Sequence, residues 1–383
     1  MRPNSRFAEV LSFDIEKVAA AAGDDPDVLR LENLDTDVPP PRVAVEATMA
    51  ALAEGQGNSW LPFTGLPVLR EAIAADLRVR TGLGYDPMRQ IVVTSGGTSA
   101  VLPLLLAATQ PGERVVLTDP TYAGLLQRVR LSGAQPWLVP LRVVDGFWRL
   151  DREALSAVTE AAALLLMSPS MPSGMILDAD DWAAVAAVCE RTGAHLIYDA
   201  AMERIVYDGH PRIHPCHVDG LADRTIVIGS TSKEYRMIGW RIGWIAGPPD
   251  IMRLVGLAVT YNTTVSSGFA QLGAAAALTD PAGGGVAEAV AEYQARHDTV
   301  IEQLAGLPVV RAGGGWSCLV DAEALGLTAP ALSARLLELG RIAATPMTAW
   351  GSEVAPRYVR LVYSNEPVKR LSDLRARFDA ALA

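Results

Sequence analysis

The chain reads as an α/β protein: a mostly parallel sheet sandwiched by helices, followed by a smaller α+β C-terminal unit. Three observations predict this. From about residue 90 to about residue 246, short apolar runs alternate with helical segments, the arrangement that builds a parallel sheet covered by helices. Several of the runs are continuous in Val, Ile and Leu rather than alternating in polarity, as strands buried on both faces require. After about residue 285 the pattern changes to a long helix followed by strands and helices in mixed order.

Taken in order, residues 24–45, with Pro39, Pro40 and Pro41, read as an irregular lead-in. Strands are expected over 91–95, 115–118, 137–140, 164–168, 195–199, 225–229 and 240–246. Helices between them include 123–132 and 180–192. The second opens on Asp178, Asp180 and Asp181 and stops at Gly193, matching the charge and glycine preferences of helix ends. Beyond 285 come a helix over 285–305, strands 309–311 and 316–320, and a helix near 331–339. Strands 341–344 and 358–363 and a final helix from Glu366 complete the chain. The expected division is an N-terminal segment, 1–45, packing on the small domain, a large domain, 46–284, and a small domain, 285–383.

Composition narrows the class of function. Of 383 residues half are hydrophobic and 20% are charged, which excludes wholesale disorder. The net charge of −10 argues against nucleic-acid or membrane-surface partners, whose footprint is basic. Cys189, Cys216 and Cys318 are too scattered for a disulfide framework, so a reducing cytoplasm is expected. The opening MRPNSRFAEV has no signal-peptide character, and the longest apolar runs, 101–108 and 161–167, fall far short of the ~20 residues that span a bilayer. One feature is odd: only Lys17, Lys233 and Lys369 are lysines, and arginine supplies almost all the positive charge. Any lysine here has a raised chance of being chemically required.

Residues 229–243, GSTSKEYRMIGWRIG, carry the strongest signal. If a strand ends near Gly229, then Ser230, Ser232 and Lys233 project from its carboxyl end, where open α/β sheets bind ligands. Two hydroxyls with Arg241 suit a phosphate, because the guanidinium is a forked donor set charged at any working pH. Lys233 beside them is either a point-charge ligand or a nucleophile able to form an imine. Asp199 ends the run HLIYD; a carboxylate there needs a partner, either as a helix cap or salt bridge, or paired with a cationic ring nitrogen of a cofactor. In TSGGTS, residues 94–99, Gly97 and Thr98 sit where a strand turns into a helix and backbone N–H groups face an anion.

Together these stretches resemble the class I/II aminotransferases, the fold type I enzymes of the aspartate aminotransferase superfamily. The likeness runs from WLPFTGLP at 60–67, with Leu69, Arg70 and Glu71, to Arg360. It implies pyridoxal 5'-phosphate as cofactor, an amino acid as substrate and a homodimer with shared active sites. On the matching positions it makes Lys233 the amine that forms the imine and shuttles the proton, and Asp199 the partner of the pyridine nitrogen. Ser230, Ser232, Arg241, Gly97 and Thr98 would hold the phosphate, Tyr122 would stack on the ring, and Arg360 would clamp the substrate α-carboxylate.

Three positions depart from that pattern. Met171, in SPSMPSG at 168–174, replaces an asparagine, and Met202 replaces a tyrosine; both ordinarily donate to the cofactor's phenolic oxygen, and a thioether cannot. Trp60 stands where a tyrosine of the neighbouring subunit reaches the site, and it is expected among the substrate-binding residues with Arg360. Trp60, Phe63, Trp316 and the two methionines suit apolar or bulky substrate side chains. Transamination is the expected reaction; β/γ-elimination, replacement or carbon–carbon bond formation is the alternative, since fold does not dictate chemistry. A different class, a zinc-binding module, would rest on His210, His214, Cys216 and His217, although their spacing matches no closed site. No metal is expected in the catalytic site.

Overall fold

The structure, a computed structural model, describes residues 7–12 and 14–383. It contains fourteen strands among these residues. The first nine are β1 (Leu29–Arg30), β2 (Ile91–Thr94), β3 (Arg114–Asp119), β4 (Gln135–Val144), β5 (Phe147–Leu150), β6 (Ala163–Met167), β7 (His195–Asp199), β8 (Thr225–Ser230) and β9 (Gly243–Ala246). The rest are β10 (Val309–Val310), β11 (Ser317–Asp321), β12 (Ile342–Ala343), β13 (Thr345–Pro346) and β14 (Tyr358–Val362).

Eight strands form the central sheet in the order β2-β9-β8-β7-β6-β3-β4-β5. Its middle, β8 to β4, is parallel, and antiparallel strands close both ends. The continuous apolar runs are the reason: every residue of β6 and of β8 is buried, which demands cover on both faces. Helices Gly97–Ala108, Ala123–Ser132 and Ala179–Thr192 connect successive strands. The last is closed at its start by a reciprocal capping box between Asp178 and Asp181 and at its end by left-handed Gly193, as its sequence predicts.

A four-stranded antiparallel sheet, β10-β11-β14-β13, forms the core of the C-terminal part. The N-terminal β1 pairs in parallel with β12, which attaches the stretch around residues 29–30 to the last third of the chain, whereas Leu11 and Glu9 bond to Gln127 and Arg130 of helix Ala123–Ser132 in the large domain. Two elements differ from expectation. The strand expected over 137–140 runs the length of β4 and continues through Asp145 and Gly146, both at positive φ (53° and 79°), into β5. Asp-Gly is the tight-hairpin dipeptide, a signal available in the sequence. The strand expected over 240–246 starts only at Gly243. Residues 238–240 form a 3-10 turn and Arg241 is left-handed, φ 55°, which turns its side chain back toward Ser232.

Candidate active site

Parallel pairing brings the carboxyl ends of β6, β7 and β8 to one edge: Met167 lies opposite Asp199, and Asp199 opposite Ile228. A cavity of about 230 Å3 opens there, at the position where open α/β sheets bind ligands. Gly97, Thr98, Tyr122, Met171, Asp199, Met202, Ser230, Ser232, Lys233 and Arg241 all line it, drawn from six separate stretches of chain.

One end of the cavity is an anion cradle. Helix Gly97–Ala108 begins at Gly96 with no side-chain cap, so its first N–H groups and the positive end of its dipole face the space. Arg241 Nη1 donates to Ser232 Oγ at 3.3 Å and to the Ile238 carbonyl at 2.9 Å. Ser230 Oγ accepts from the Ser232 N–H at 3.1 Å. The close approach depends on glycine: a Cβ on Gly96, at φ 89°, would lie 2.2 Å from Arg241 Nη2, and one on Gly243 would lie 2.4 Å from the Gly97 nitrogen.

Lys233 Nζ donates to the Leu34 carbonyl at 3.0 Å and sits 4.3 Å from the centre of the Trp316 ring. Burial pulls its ammonium down to about 7, with the charges of Arg360 and Arg241 acting the same way and Asp35 and Asp199 opposing. Burial pushes the Asp199 carboxyl up to about 6, against the Ala201 N–H it accepts at 3.1 Å and the charge of Lys233. The cavity thus holds an amine and an acid whose proton affinities have been moved toward each other, a common property of reactive sites. Tyr122 packs its ring 5.7 Å from Trp350, and burial raises its phenol.

Met171 and Met202 are both buried in the cavity wall. The hydroxyl of Ser317 donates to Met171 Sδ at 3.5 Å and to the Pro172 carbonyl at 2.8 Å, so it is committed behind the thioether. Leu34, Met167, Ala201 and Ile238 complete the lining. These the sequence reading missed: Leu34 lies in the irregular lead-in, where no motif marks it. Trp350 and the Glu32 carbonyl, which touch Tyr122 and Arg360, were missed for the same reason.

Two expected substrate residues stand apart from the lining. Arg360 is fully buried, close enough to Lys233 and Tyr122 for its charge to act on both, with its carbon Cζ 4.5 Å from the Trp350 ring centre. Its Nη2 donates to the Glu32 carbonyl and to Thr345 Oγ1, while Nε and Nη1 have no partner. Burial pulls this guanidinium down to about 9, and a buried cation with orphaned donors is a place built for an anion. Trp60 is 82% exposed and rests edge-on against Phe63, 5.2 Å between ring centres.

The zinc-binding alternative is not supported. Among the described residues no group of three or more His, Cys, Asp and Glu side chains is placed to hold a metal. His214 Nδ1 accepts from the Cys216 N–H, His217 Nε2 faces the Thr81 carbonyl at 3.0 Å, and Cys216 Sγ lies against the Tyr85 hydroxyl. His210 packs on Phe147. Neighbours in sequence, they are engaged in four directions. All three cysteines are buried and unpaired, and no helix among the described residues is long and apolar enough to cross a membrane.

Comparison with known proteins covers nearly the whole chain. The family described as aminotransferase class I and II matches residues 26–377. A probable aspartate/prephenate aminotransferase of Aquifex aeolicus is 30% identical over 359 residues, 91% of this chain and 90% of that one. An arginine–pyruvate transaminase of Pseudomonas aeruginosa is 32% identical over 352 residues, 90% and 88% of the two chains. Among solved structures, N-succinyldiaminopimelate aminotransferase from Mycobacterium tuberculosis superposes with a TM-score of 0.92 at 30% identity, over 100% of both chains.

Proposed function

Because the chain belongs to the class I and II aminotransferases and is an amino acid aminotransferase, we propose that it uses pyridoxal 5'-phosphate, anchored at Lys233, and takes its amino group from an amino acid with an apolar side chain. The observation that carries this reading is the single cavity in which the down-shifted amine of Lys233, the up-shifted carboxyl of Asp199 and the Ser230–Ser232–Arg241 cradle meet. The donor set suits the group: hydroxyls, a guanidinium and an uncapped helix end for a phosphate, a carboxyl for a ring nitrogen, an amine for an aldehyde.

Bound there, the cofactor supplies an electrophilic carbon for the amino group and a ring that withdraws electrons. The protein's part is positioning and proton handling. Burial favours the neutral form of the Lys233 amine, so the side chain is able to take a proton from the substrate Cα and return it. Asp199, ionised above about pH 6, holds a proton in place at the ring nitrogen. Gly97, Thr98, Ser230, Ser232 and Arg241 would hold the phosphate, and Tyr122, which lines the same cavity, would pack against the cofactor. Arg360 offers its orphaned donors to the substrate α-carboxylate.

Lys233 and Arg241 are the cationic side chains in the cavity lining, and both are assigned above. The remaining wall is Leu34, Met167, Met171, Met202 and Ile238, which favours an uncharged side chain. Residues 46–284 are the unit that holds the cofactor, and 285–383, with the stretch around β1 paired to it, close over it and contribute Arg360 and Leu34. We also take the protein as cytoplasmic and homodimeric, with Trp60 reaching the partner's site; the exposure of Trp60, Tyr261 and Met49 supports a covered face. The test is to load purified protein with pyridoxal phosphate, add single amino acids and follow 2-oxo acid release. Leucine, methionine and phenylalanine should react faster than aspartate and glutamate; a preference for the acidic pair would overturn the substrate assignment.

A further inference from the structure

Behind the cavity lies a charged cluster that does not line it. Arg80, in the last turn of helix Pro67–Thr81, reaches three carboxylates: Nη1 to Glu203 Oε2 at 3.1 Å, Nη2 to Glu234 Oε2 at 2.9 Å and Nε to Asp76 Oδ2 at 2.8 Å. Arg204 joins from the other side, Nε to Glu234 Oε2 at 2.7 Å, and its own backbone N–H donates to Glu234 Oε1 at 2.8 Å. The side chains of Glu203 and Glu234 are 1% and 2% exposed, and charges so buried persist only when paired.

Two carboxylates of this cluster, and the tyrosine packed against them, are immediate sequence neighbours of cavity residues. Glu234 follows Lys233, Glu203 follows Met202, and Tyr198 precedes Asp199. Tyr198 donates to the Ser168 carbonyl at 3.0 Å and to Glu203 at 3.4 Å, and Ser168 follows Met167. Successive side chains of an extended backbone point to opposite sides, so Tyr198, inside β7, faces away from the space that Asp199 lines. A small crevice beside Gly229 and Ser230 is bordered by Arg80, Glu203 and Glu234, placing the cluster against the back of the strand end that bears the phosphate cradle.

We propose that Arg80 is a positioning residue for the transferase site: by bridging Glu203 and Glu234, its guanidinium holds the segment carrying Lys233 against the segment carrying Asp199 and Met202. The role rests on the reading of the cavity given above. A planar fork meets two carboxylates in fixed directions, which an ammonium on a flexible stem does not do. His214, whose Nε2 lies 3.9 Å from Glu203 Oε1, adds no charge, because burial holds its imidazole down to about 3. Arg212 acts on Glu203 only through space.

The scarcity of lysine makes the test direct. In the full-length, cofactor-free chain, an amine-acylating reagent is applied across a pH series and modification at each lysine is read by peptide mass. Lys17 and Lys369 are exposed and serve as internal references. The groups that act on the Lys233 amine are Asp35, Asp199, Arg241 and Arg360, none of which is altered. In the double variant Arg80→Gln/Glu203→Gln, which removes the Arg80 bridge with one of its carboxylates and leaves only the Arg204–Glu234 contacts, the Lys233 midpoint should rise by about half a pH unit or more as the amine is held less firmly in its buried position. Arg80→Lys should recover part of that shift. In the pyridoxal phosphate-loaded enzyme, kcat should fall by about tenfold or more with KM changed much less, as a displaced reacting group predicts.

A lowered melting temperature with an unchanged Lys233 midpoint and an unchanged kcat would make the cluster purely structural and overturn the proposal. If the double variant does not fold, Glu203→Gln alone carries the test: a smaller shift in the same direction supports the clamp, and none overturns it. The labelling experiment needs no cofactor. A chain that shows the shift but takes up no pyridoxal phosphate therefore overturns the cofactor reading while leaving the clamp in place.

Discussion

The cavity at the strand ends and the loop at 210–217 present opposite relations between sequence and space. Ten expected residues of the cavity, spread from Gly97 to Arg241, converge on one volume. Four potential metal ligands in the loop sit within eight positions of one another, yet each is turned to a different neighbour. The difference lies in what fixes the side chains. Parallel strands share a register, so their carboxyl ends, with whatever residues follow, meet at one edge. A loop punctuated by Pro211 and Pro215 has no such constraint, and its side chains pair with whatever packs against them.

The largest expected effect that tests this contrast is at the rare lysine. Lys233→Arg should lower turnover by ~10⁴-fold, since a guanidinium neither forms an imine nor gives up its proton near neutrality. Lys17→Arg and Lys369→Arg should leave the rate within about twofold, measured by 2-oxo acid release; equal losses at all three would break the comparison. Asp199→Asn should cost ~10²–10³-fold in kcat, and it carries a second signature in the cofactor-free chain. Burial holds the Asp199 carboxyl at about 6, above its ordinary 3.8. The folded state therefore keeps this proton longer than the unfolded state, so stability falls as pH rises from about 4 through about 6. Asparagine removes that loss: by denaturant melts the variant should be more stable by roughly 2–3 kcal/mol at pH 8 and equal at pH 3.5.

Arg360→Gln should act next, raising KM for the amino acid by about 10–100-fold with a smaller change in kcat, because the orphaned donors are assigned to substrate binding. An unchanged KM would leave the buried guanidinium with the Glu32 carbonyl and Trp350 as its whole role. The smallest effects belong to the loop. His210→Gln and His217→Gln should keep activity within about twofold and cost no more than about 1 kcal/mol of stability, one hydrogen bond at most. A metal bound stoichiometrically by the parent and lost from the combined His210→Gln/His217→Gln variant would transfer chemistry to the loop.

Much of this was legible in the chain because local chemistry and long-range structure agree there. Asp178 and Asp181 mark a helix start by local side-chain-to-backbone hydrogen bonds and Gly193 marks its end by a left-handed conformation, and the uniform apolar runs of β6 and β8 announce strands buried on both faces. The β4–β5 hairpin is written as Asp145-Gly146, but the apolar run before it contains Pro136 and Pro140 and has no polar alternation, so the length of β4 is not legible in the sequence. The shortened β9 follows from a tertiary demand, the return of Arg241 to Ser232, which overrides the strand propensity of Trp240. Leu34 and Glu32 contribute to the site through main-chain carbonyls, and a carbonyl leaves no mark in a sequence.

By itself the sequence determined which groups are chemically available: three amines, Lys233 among them, in a chain that otherwise uses arginine, a carboxyl at Asp199, a hydroxyl and guanidinium set at 230–241, and the thioethers of Met171 and Met202. Those are properties of side-chain identity and survive any folding. Only the tertiary structure decided their proton affinities, because burial sets the cost of charge and burial is a property of the packed molecule. It also decided that Arg360 is fully buried with two donors unpaired, that Trp60 faces outward, and that Arg80, far away in sequence, pairs with the carboxylates that follow Met202 and Lys233.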